Sequence, residues 1–123
     1  MRFVVVLAAL ALLAGCGEDA DPAAPPLAEL TVTVNDGSGP KRSDVRCNAA
    51  ADSEVCGAVA ALKADAFEPT PRNVACTQIY GGPQTATVNG TLRGEPIVAR
   101  FSRENGCEIA RWTTVRPLLD AAG

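Results

Sequence analysis

Five cysteines constrain the fold of this chain more than any other feature of its sequence. The number is odd, so one cysteine is expected to have a separate role. Cys16 stands alone near the N-terminus, and the others are Cys47, Cys56, Cys76 and Cys107. Four cysteines can pair in three ways. Only 4% of the residues are aromatic, so the core must be built from Val, Leu, Ile and Ala, and crosslinks would reinforce it.

The residues before Cys16 predict export and lipidation. Arg2 is followed by an unbroken apolar run over 3–13. As a helix this run would span about 16 Å, roughly half of the hydrocarbon core, which is typical of a signal peptide and not of a membrane span. The residues Leu13-Ala14-Gly15-Cys16 resemble a bacterial lipobox. The resemblance implies cleavage after Gly15, diacylglycerol on the Cys16 thiol and usually an acyl chain on the new amino group.

Residues 1–15 are therefore predicted to be a lipoprotein signal peptide. An ordinary secretory signal followed by a chance cysteine is the alternative. Two acyl chains anchor a protein stably where one does not, so acylated Cys16 would hold the protein in the lipid bilayer, on the extracytoplasmic face of the cell membrane. Lipidation of Cys16 accounts for the odd cysteine, and export permits disulfides between the other four.

Residues 16–28 form the lipidated cysteine and a tether rich in proline and acidic side chains, with no apolar period. A calcium site in its acidic cluster is the alternative, but the glycine and closing glutamate of a calcium loop are missing. Beyond Gly15 the chain keeps all 14 acidic residues and loses only Arg2 of its 11 basic ones. That balance argues against a nucleic-acid partner. We expect one domain over 29–123.

Histidine is absent, which removes the commonest general base and the commonest metal ligand. The spacing of the acidic residues gives no reason to select a catalytic carboxylate pair. We therefore expect no enzymatic activity, no metal and no cofactor.

Local patterns predict the secondary structure of this domain. Alternation predicts a strand over 30–34, and 43–47 could be a second, short strand. Asp52 or Ser53 is expected to cap a helix running to about Asp65, with Val55, Val59 and Leu62 on one face. Further strands are predicted over 85–88 and 95–102, the latter with Ile97, Ala99 and Phe101 on one face. Asn89-Gly90 and Arg93-Gly94 are rival turns between them. Residues 117–120 could form one helical turn, and Trp112 is expected to close the core.

An extended stretch, residues 74–80, lies between a proline-containing run and the turn signal Gly81-Gly82-Pro83. Cys76 stands at its near end. A disulfide from Cys76 to Cys107 would hold this stretch extended and stiff without burying it. A disulfide from Cys47 to Cys56 would join the second strand to the helix, with a modest entropic gain of about 2–3 kcal/mol.

The order and spacing of these motifs over residues 30–112 resemble the subtilisin inhibitor-like family of actinobacteria. The motifs are the opening Leu-Thr-Val strand, the first cysteine pair at the start of the helix, Cys76-x-x-Ile79-Tyr80, residues 87–94, and Asn105-Gly106-Cys107-Glu108. The resemblance implies an α+β fold with an antiparallel five-stranded sheet, two helices on one side and two disulfides, Cys47–Cys56 and Cys76–Cys107. It also implies that the strand runs through Asn89-Gly90 and turns near Arg93-Gly94, and that the protein forms a homodimer through its sheet.

Members of the family inhibit serine proteases by presenting a loop as a substrate. The matching loop is 75–80, and its reactive-site residues here are Cys76, Thr77, Gln78, Ile79 and Tyr80. Gln78 would fill the primary specificity pocket of a subtilisin-like serine protease, Gln78–Ile79 would be the reactive bond, and Asn105 would support the loop.

The chain departs from the family pattern at several points. Family inhibitors often have Met or Lys in place of Gln78 and Pro in place of Thr77. Gly81-Gly82-Pro83 is one residue longer than the usual step, and its two glycines are expected to loosen the chain beside the loop. The first cysteine pair is closer than usual, and most members are freely secreted. The alternative function is therefore a binding or structural lipoprotein that kept the fold and lost inhibition.

Overall fold

The structure, a computed structural model, describes residues 25–122. The predicted signal peptide, Cys16 and most of the tether lie outside the described residues. Within them, no helix is both long and apolar enough to cross a membrane. The elements are β1 (Ala28–Asn35), β2 (Pro40–Cys47), α1 (Glu54–Ala61), β3 (Thr85–Leu92), β4 (Glu95–Phe101) and α2 (Gly106–Asp120).

The four strands form one antiparallel sheet in the order β2-β1-β3-β4. Alternate side chains of every strand are buried on one face, where both helices contribute to the same apolar core. This is the antiparallel α+β arrangement in which one face packs and the other is open. The open face is largely polar, apart from Val98, whose side chain is 83% exposed. The four strands predicted from local patterns are all present, and each except β4 is longer than predicted at one or both ends.

The chain turns between β3 and β4 at Arg93-Gly94, as the family resemblance implies. Both residues have positive φ, 49° and 79°, which suits a two-residue hairpin turn. Gly90, the rival turn residue, lies inside β3 with φ 143°. A Cβ on Gly90 would overlap the carbonyl oxygen of Glu29 on β1. Glycine is therefore required there by close strand approach and not by a turn.

The start of α1 agrees with the sequence, and of the two candidate caps Ser53 is the one used. Ser53 is the N-cap, and its side chain accepts a hydrogen bond from the Cys56 amide at 3.1 Å. The Asp52 carboxylate instead accepts from the amides of Asn48 (2.7 Å) and Ala49 (3.1 Å). The two side chains thus order the short connection between β2 and the helix.

Helix α1 ends at Ala61, earlier than the predicted end at Asp65. Leu62 has extended dihedrals, and the Arg93 guanidinium donates to the carbonyl oxygens of Ala60 and Leu62. Carbonyls at a helix end lack partners within the helix, so an arginine from the β3–β4 turn satisfies them here. A 3₁₀ turn over Ala64–Phe67 then continues the chain.

Helix α2 is much longer than the predicted single turn. Asn105 is its N-cap, accepting from the Glu108 amide at 3.0 Å, and Pro117 lies inside it. Trp112 is buried, as expected. The buried apolar side chains of α2, at 112, 115, 118 and 119, belong to the same core as the sheet. The helical spacing of these side chains was not recognised from the sequence, because Pro117 lies among them and prolines usually end helices.

The predicted fifth strand is wrong for the residues that the structure describes, which form a sheet of four strands. Residues 74–80 have no regular secondary structure and do not join the sheet. The chain after Asn105-Gly106 is helical from Gly106 onward. The overall α+β class and both helices on one side are confirmed. The two predicted disulfides, Cys47–Cys56 and Cys76–Cys107, are also present.

Candidate functional site

The candidate site is the loop over residues 74–80, which has no regular secondary structure and is exposed except at Cys76. Of the four large apolar side chains exposed in the described part of the chain, three belong to it: Val74 (48%), Ile79 (62%) and Tyr80 (66%). Exposing apolar side chains of this size to water is unfavourable, and clusters of them on a surface are typical of interaction sites. The loop is therefore on the surface and not part of the core.

The first turn of α2 holds the middle of the loop. Cys107 is joined to Cys76 by the second disulfide. The Gly106 amide donates to the carbonyl oxygen of Thr77 at 2.9 Å. A Cβ on Gly106 would overlap the Thr77 side chain, so only glycine lets the two backbones approach this closely. A covalent bond and a backbone hydrogen bond thus fix adjacent loop residues.

The far end of the loop is fixed as firmly, at Gly81. Its amide donates to the carbonyl oxygen of Arg103 at 2.6 Å. A Cβ on Gly81 would lie 2.9 Å from two side-chain carbons of Ile109. The expectation that the glycines loosen the chain here is wrong for Gly81, which is glycine because it packs against α2. Gly82 follows with φ 128°, a dihedral that favours glycine.

The structure places the predicted reactive-site residues 76–80 and Asn105 in or beside this loop, and Cys47 and Cys56 in the core. Gln78 is exposed, and its Nε2 donates to the carbonyl oxygen of Cys76 at 3.4 Å, within the loop itself. Ile79 on the other side of the predicted reactive bond is exposed as well. The hydrogen bond of the Asn105 side chain goes to α2, at Glu108 N. Asn105 can therefore support the loop by setting the helix end that presents Gly106.

Sequence reasoning missed the side chains that flank this helix turn. The Glu108 carboxylate accepts from Thr70, ahead of the loop, and from Arg111, one helix turn on, both at 2.8 Å. Glu108 and Arg111 are only 15% and 16% exposed. A partner 38 positions away leaves no local pattern. The spacing of Glu108 and Arg111 was readable as a helical ion pair, but only once α2 had been recognised as a helix.

The chemical groups at this surface are the backbone and the exposed side chains of the loop. In the described range 25–122, no cluster of His, Cys, Asp and Glu could hold a metal ion. What the site offers is a peptide with exposed side chains, joined to the rest of the fold before, within and after its exposed part.

Comparison with known proteins found no significant match to a protein family, to a curated protein or to a solved structure. The resemblance to the subtilisin inhibitor-like family therefore stays a prediction from the motifs and their spacing.

Proposed function

We propose that this protein is a membrane-anchored inhibitor of subtilisin-like serine proteases, acting by substrate-like binding of the loop over 75–80. The observation that carries the proposal is an exposed loop fixed at Cys76, Thr77 and Gly81, which in the proposed complex adds as a strand to the substrate cleft of the protease. A loop that is already ordered before binding loses little conformational freedom in the complex. This lowers the free-energy cost of binding by on the order of 0.5–1.5 kcal/mol for each side chain not newly immobilised.

The same fixation supports inhibition over simple cleavage. In the proposed complex the Gln78 carbonyl lies at the oxyanion hole of the protease, beside its catalytic serine. After attack, the new amine at Ile79 stays in place, because Gly81 remains bonded to Arg103 and packed against α2. A leaving group that cannot diffuse away favours religation, so cleavage is slow and reversible.

The topology supports an anchored inhibitor that faces away from the bilayer. Ala28, predicted to end the tether, is the first residue of β1 and pairs with Leu92 and Cys47 at one end of the sheet. The loop is joined to Arg103, just past the end of β4, and Ala86 pairs with Phe101 at that opposite end. With about 3.4 Å per residue, the eight residues of β1 separate the two ends by more than 20 Å. A lipid anchor on Cys16 would leave the loop free to meet a protease.

The direct test is titration of the domain over 17–123 against subtilisin and trypsin. We expect tight, slowly reversible inhibition of subtilisin and weak inhibition of trypsin. Gln78 is polar, uncharged and of medium length, so a broad apolar pocket accepts its methylenes, whereas a pocket with a carboxylate at its base prefers Lys or Arg. Rapid cutting at Gln78–Ile79 without a stable complex would show that the loop is a substrate. Neither binding nor cutting would favour the binding or structural lipoprotein.

Substitution of Gln78 tests whether this residue sets the specificity. Gln78→Lys should raise affinity for trypsin by on the order of 2 kcal/mol or more, through one buried charge pair at the interface centre. Gln78→Pro should cripple binding to either protease, because its ring cannot fill the pocket. Unchanged affinities in both variants would mean that another residue occupies the pocket.

Anchoring is tested separately at Cys16. Cys16→Ser should abolish labelling by radioactive palmitate and either move the protein to the soluble fraction or leave it uncleaved. Normal membrane retention of that variant would contradict the lipobox prediction.

The homodimer implied by the resemblance also stays a proposal, and the open face of the sheet is the surface available to it. Val98 is the exposed apolar side chain on that face. Sedimentation of the domain should give twice the monomer mass, and Val98→Lys should reduce the measured mass to that of a monomer.

A further inference from the structure

The chain leading into the loop carries a side-chain contact of its own to α2. Residues 68–73 have no regular secondary structure beyond a turn. Within them, Thr70 is partly buried, and its hydroxyl donates to Glu108 Oε1 at 2.8 Å. In the described part of the chain, this is the side-chain hydrogen bond that joins the approach segment 68–73 to the rest of the fold.

Glu108 can hold Thr70 because its own position is fixed. Its second oxygen, Oε2, accepts from Arg111 Nη1 at 2.8 Å, and both side chains are largely buried. A hydrogen bond between charged groups is about twice as strong as one between neutral groups, and partial burial limits competition from water. The carboxylate is thereby restricted to one orientation, with Oε1 directed at Thr70.

Arg111 in turn connects this pair to the sheet. Its Nη1 donates to the carbonyl oxygen of Arg100 on β4 at 3.0 Å, and its guanidinium lies 4.7 Å from the centre of the Phe101 ring. A guanidinium over an aromatic face is an additional favourable contact. Phe101 is among the most buried side chains of the core. The connection therefore runs from the core through Arg111 and Glu108 to Thr70.

We propose that Glu108 is a positioning residue, which with Thr70 and Arg111 sets the path of the chain into the loop. Glu108 follows Cys107 directly, so one turn of α2 fixes the chain at both Thr70 and Cys76. Two fixed points six positions apart determine the course of 71–75, the residues that would precede Gln78 in a protease cleft. The proposal rests on the proposed function for its effect on protease binding, but the ordering of 71–75 is measurable without a protease.

The experiment uses the full chain, purified in detergent, and the variant Thr70→Val. Valine keeps the branched shape and removes only the hydroxyl, leaving the pair of Glu108 and Arg111 intact. The matched control is Thr31→Val, since the Thr31 hydroxyl donates to the Asp44 carboxylate at 2.9 Å within the β1–β2 strand pair, which among the residues that the structure describes has no hydrogen bond to the approach segment 68–73. Backbone ¹⁵N order parameters of 72–75 should fall from about 0.8 to below about 0.7 in Thr70→Val alone.

Protease affinity provides the second measurement. In Thr70→Val the Kd for subtilisin should rise about fivefold to tenfold, because the approach must then be ordered on binding. The melting temperature should stay within about 2 °C of that of Thr31→Val. Glu108→Gln should lower the same order parameters, and in the Thr70→Val background it should add little, since both act through one contact.

The outcomes separate this proposal from the proposed function. Unchanged order parameters in Thr70→Val would overturn it, whatever the protease assay shows. If order falls but the unsubstituted protein binds no protease, the positioning role is supported and the inhibitor function fails. If order falls, the unsubstituted protein binds subtilisin and Thr70→Val binds equally well, the proposal that this contact positions the loop for binding is wrong.

Discussion

The two disulfides hold their surroundings in opposite ways. Cys47–Cys56 is buried, at 0% and 3% exposure, and joins β2 to α1 within the core. Cys76–Cys107 is only partly buried and joins an exposed loop to α2. Around the first, apolar packing already holds the same elements together. Around the second there is no apolar core, so a covalent bond and a few hydrogen bonds hold the loop in place instead. A segment of this protein can therefore be fixed without being buried.

Apolar side chains show the same contrast. In the core they are Val, Leu, Ile and Phe under 10% exposed, and they drive folding. In the loop, Ile79 and Tyr80 are more than 60% exposed and contribute nothing comparable to stability. If the loop binds a protease, these side chains lose contact with water only in the complex.

The largest expected effect comes from truncating one side chain in each region. Phe101→Ala should lower the free energy of unfolding by about 3–5 kcal/mol, because it leaves a cavity beside Phe67 and removes the ring under Arg111. Ile79→Ala should change it by less than about 0.5 kcal/mol while weakening subtilisin binding. Urea unfolding and inhibition assays measure the two. Equal losses of stability would show that the loop is part of the core.

Removing the loop disulfide should separate stability from function. Under the chain-entropy account, Cys76→Ala with Cys107→Ala costs about 3–4 kcal/mol, since the bond closes a ring of 31 positions. The domain should keep its circular dichroism spectrum at low temperature, yet lose a larger fraction of its inhibition than of its stability. Peptide mapping of the unsubstituted protein is the control. Cys47 found joined to Cys107 would reject the pairing and the fold together.

Alanine in place of two glycines should have effects of opposite sign. Gly106→Ala would push against Thr77 and should destabilise by about 1–2 kcal/mol while displacing the loop. Gly57 lies inside α1, and the Cβ added by Gly57→Ala would be 3.5 Å from the Ala50 carbonyl oxygen, an ordinary contact. It should stabilise by up to about 1 kcal/mol. Thermal melting measures both, and the same sign in both variants would contradict the close approach of loop and helix.

The smallest effect is expected at the β1–β2 turn, which within residues 25–122 has no hydrogen bond to the loop. Hydrogen bonds from the Ser38 hydroxyl and amide, with a further one from Lys41, lower the pKa of Asp36 from 3.8 to about 2. Because the folded pKa lies below the unfolded one, the carboxylate stabilises the fold above pH 4, and this contribution is lost as the pH falls towards 2.

An NMR titration of the Asp36 carboxyl group should show the lowered pKa directly. Asp36→Asn should remove the corresponding part of the pH dependence of the melting temperature between pH 4 and 2, and leave the loop unaffected. A midpoint near 3.8 in the unsubstituted protein would show that the Ser38 contacts do not persist in solution.

Local patterns in the sequence were sufficient for much of the sheet and for one end of a helix. Alternation placed β1 and β4, and Ser53 capped α1 where the pattern indicated. The disulfide pairing was not readable from local patterns, because all three connectivities were open until the motifs were compared with a family. The exposed character of 74–80 was predicted, but its contacts to Gly106, Arg103 and Ile109 were not.

By itself, the sequence determined features that depend on neighbouring residues, namely strand alternation, the cap of α1 and the exposed stretch around Cys76. Tertiary structure decided where the hairpin turns, where α1 ends and why Gly81, Gly90 and Gly106 are glycines. Each of these depends on an atom far along the chain: the Glu29 carbonyl, the Arg93 guanidinium, the Ile109 side chain or the Thr77 side chain. The steric and hydrogen-bond energies that select among local alternatives exist only once those distant atoms are brought together.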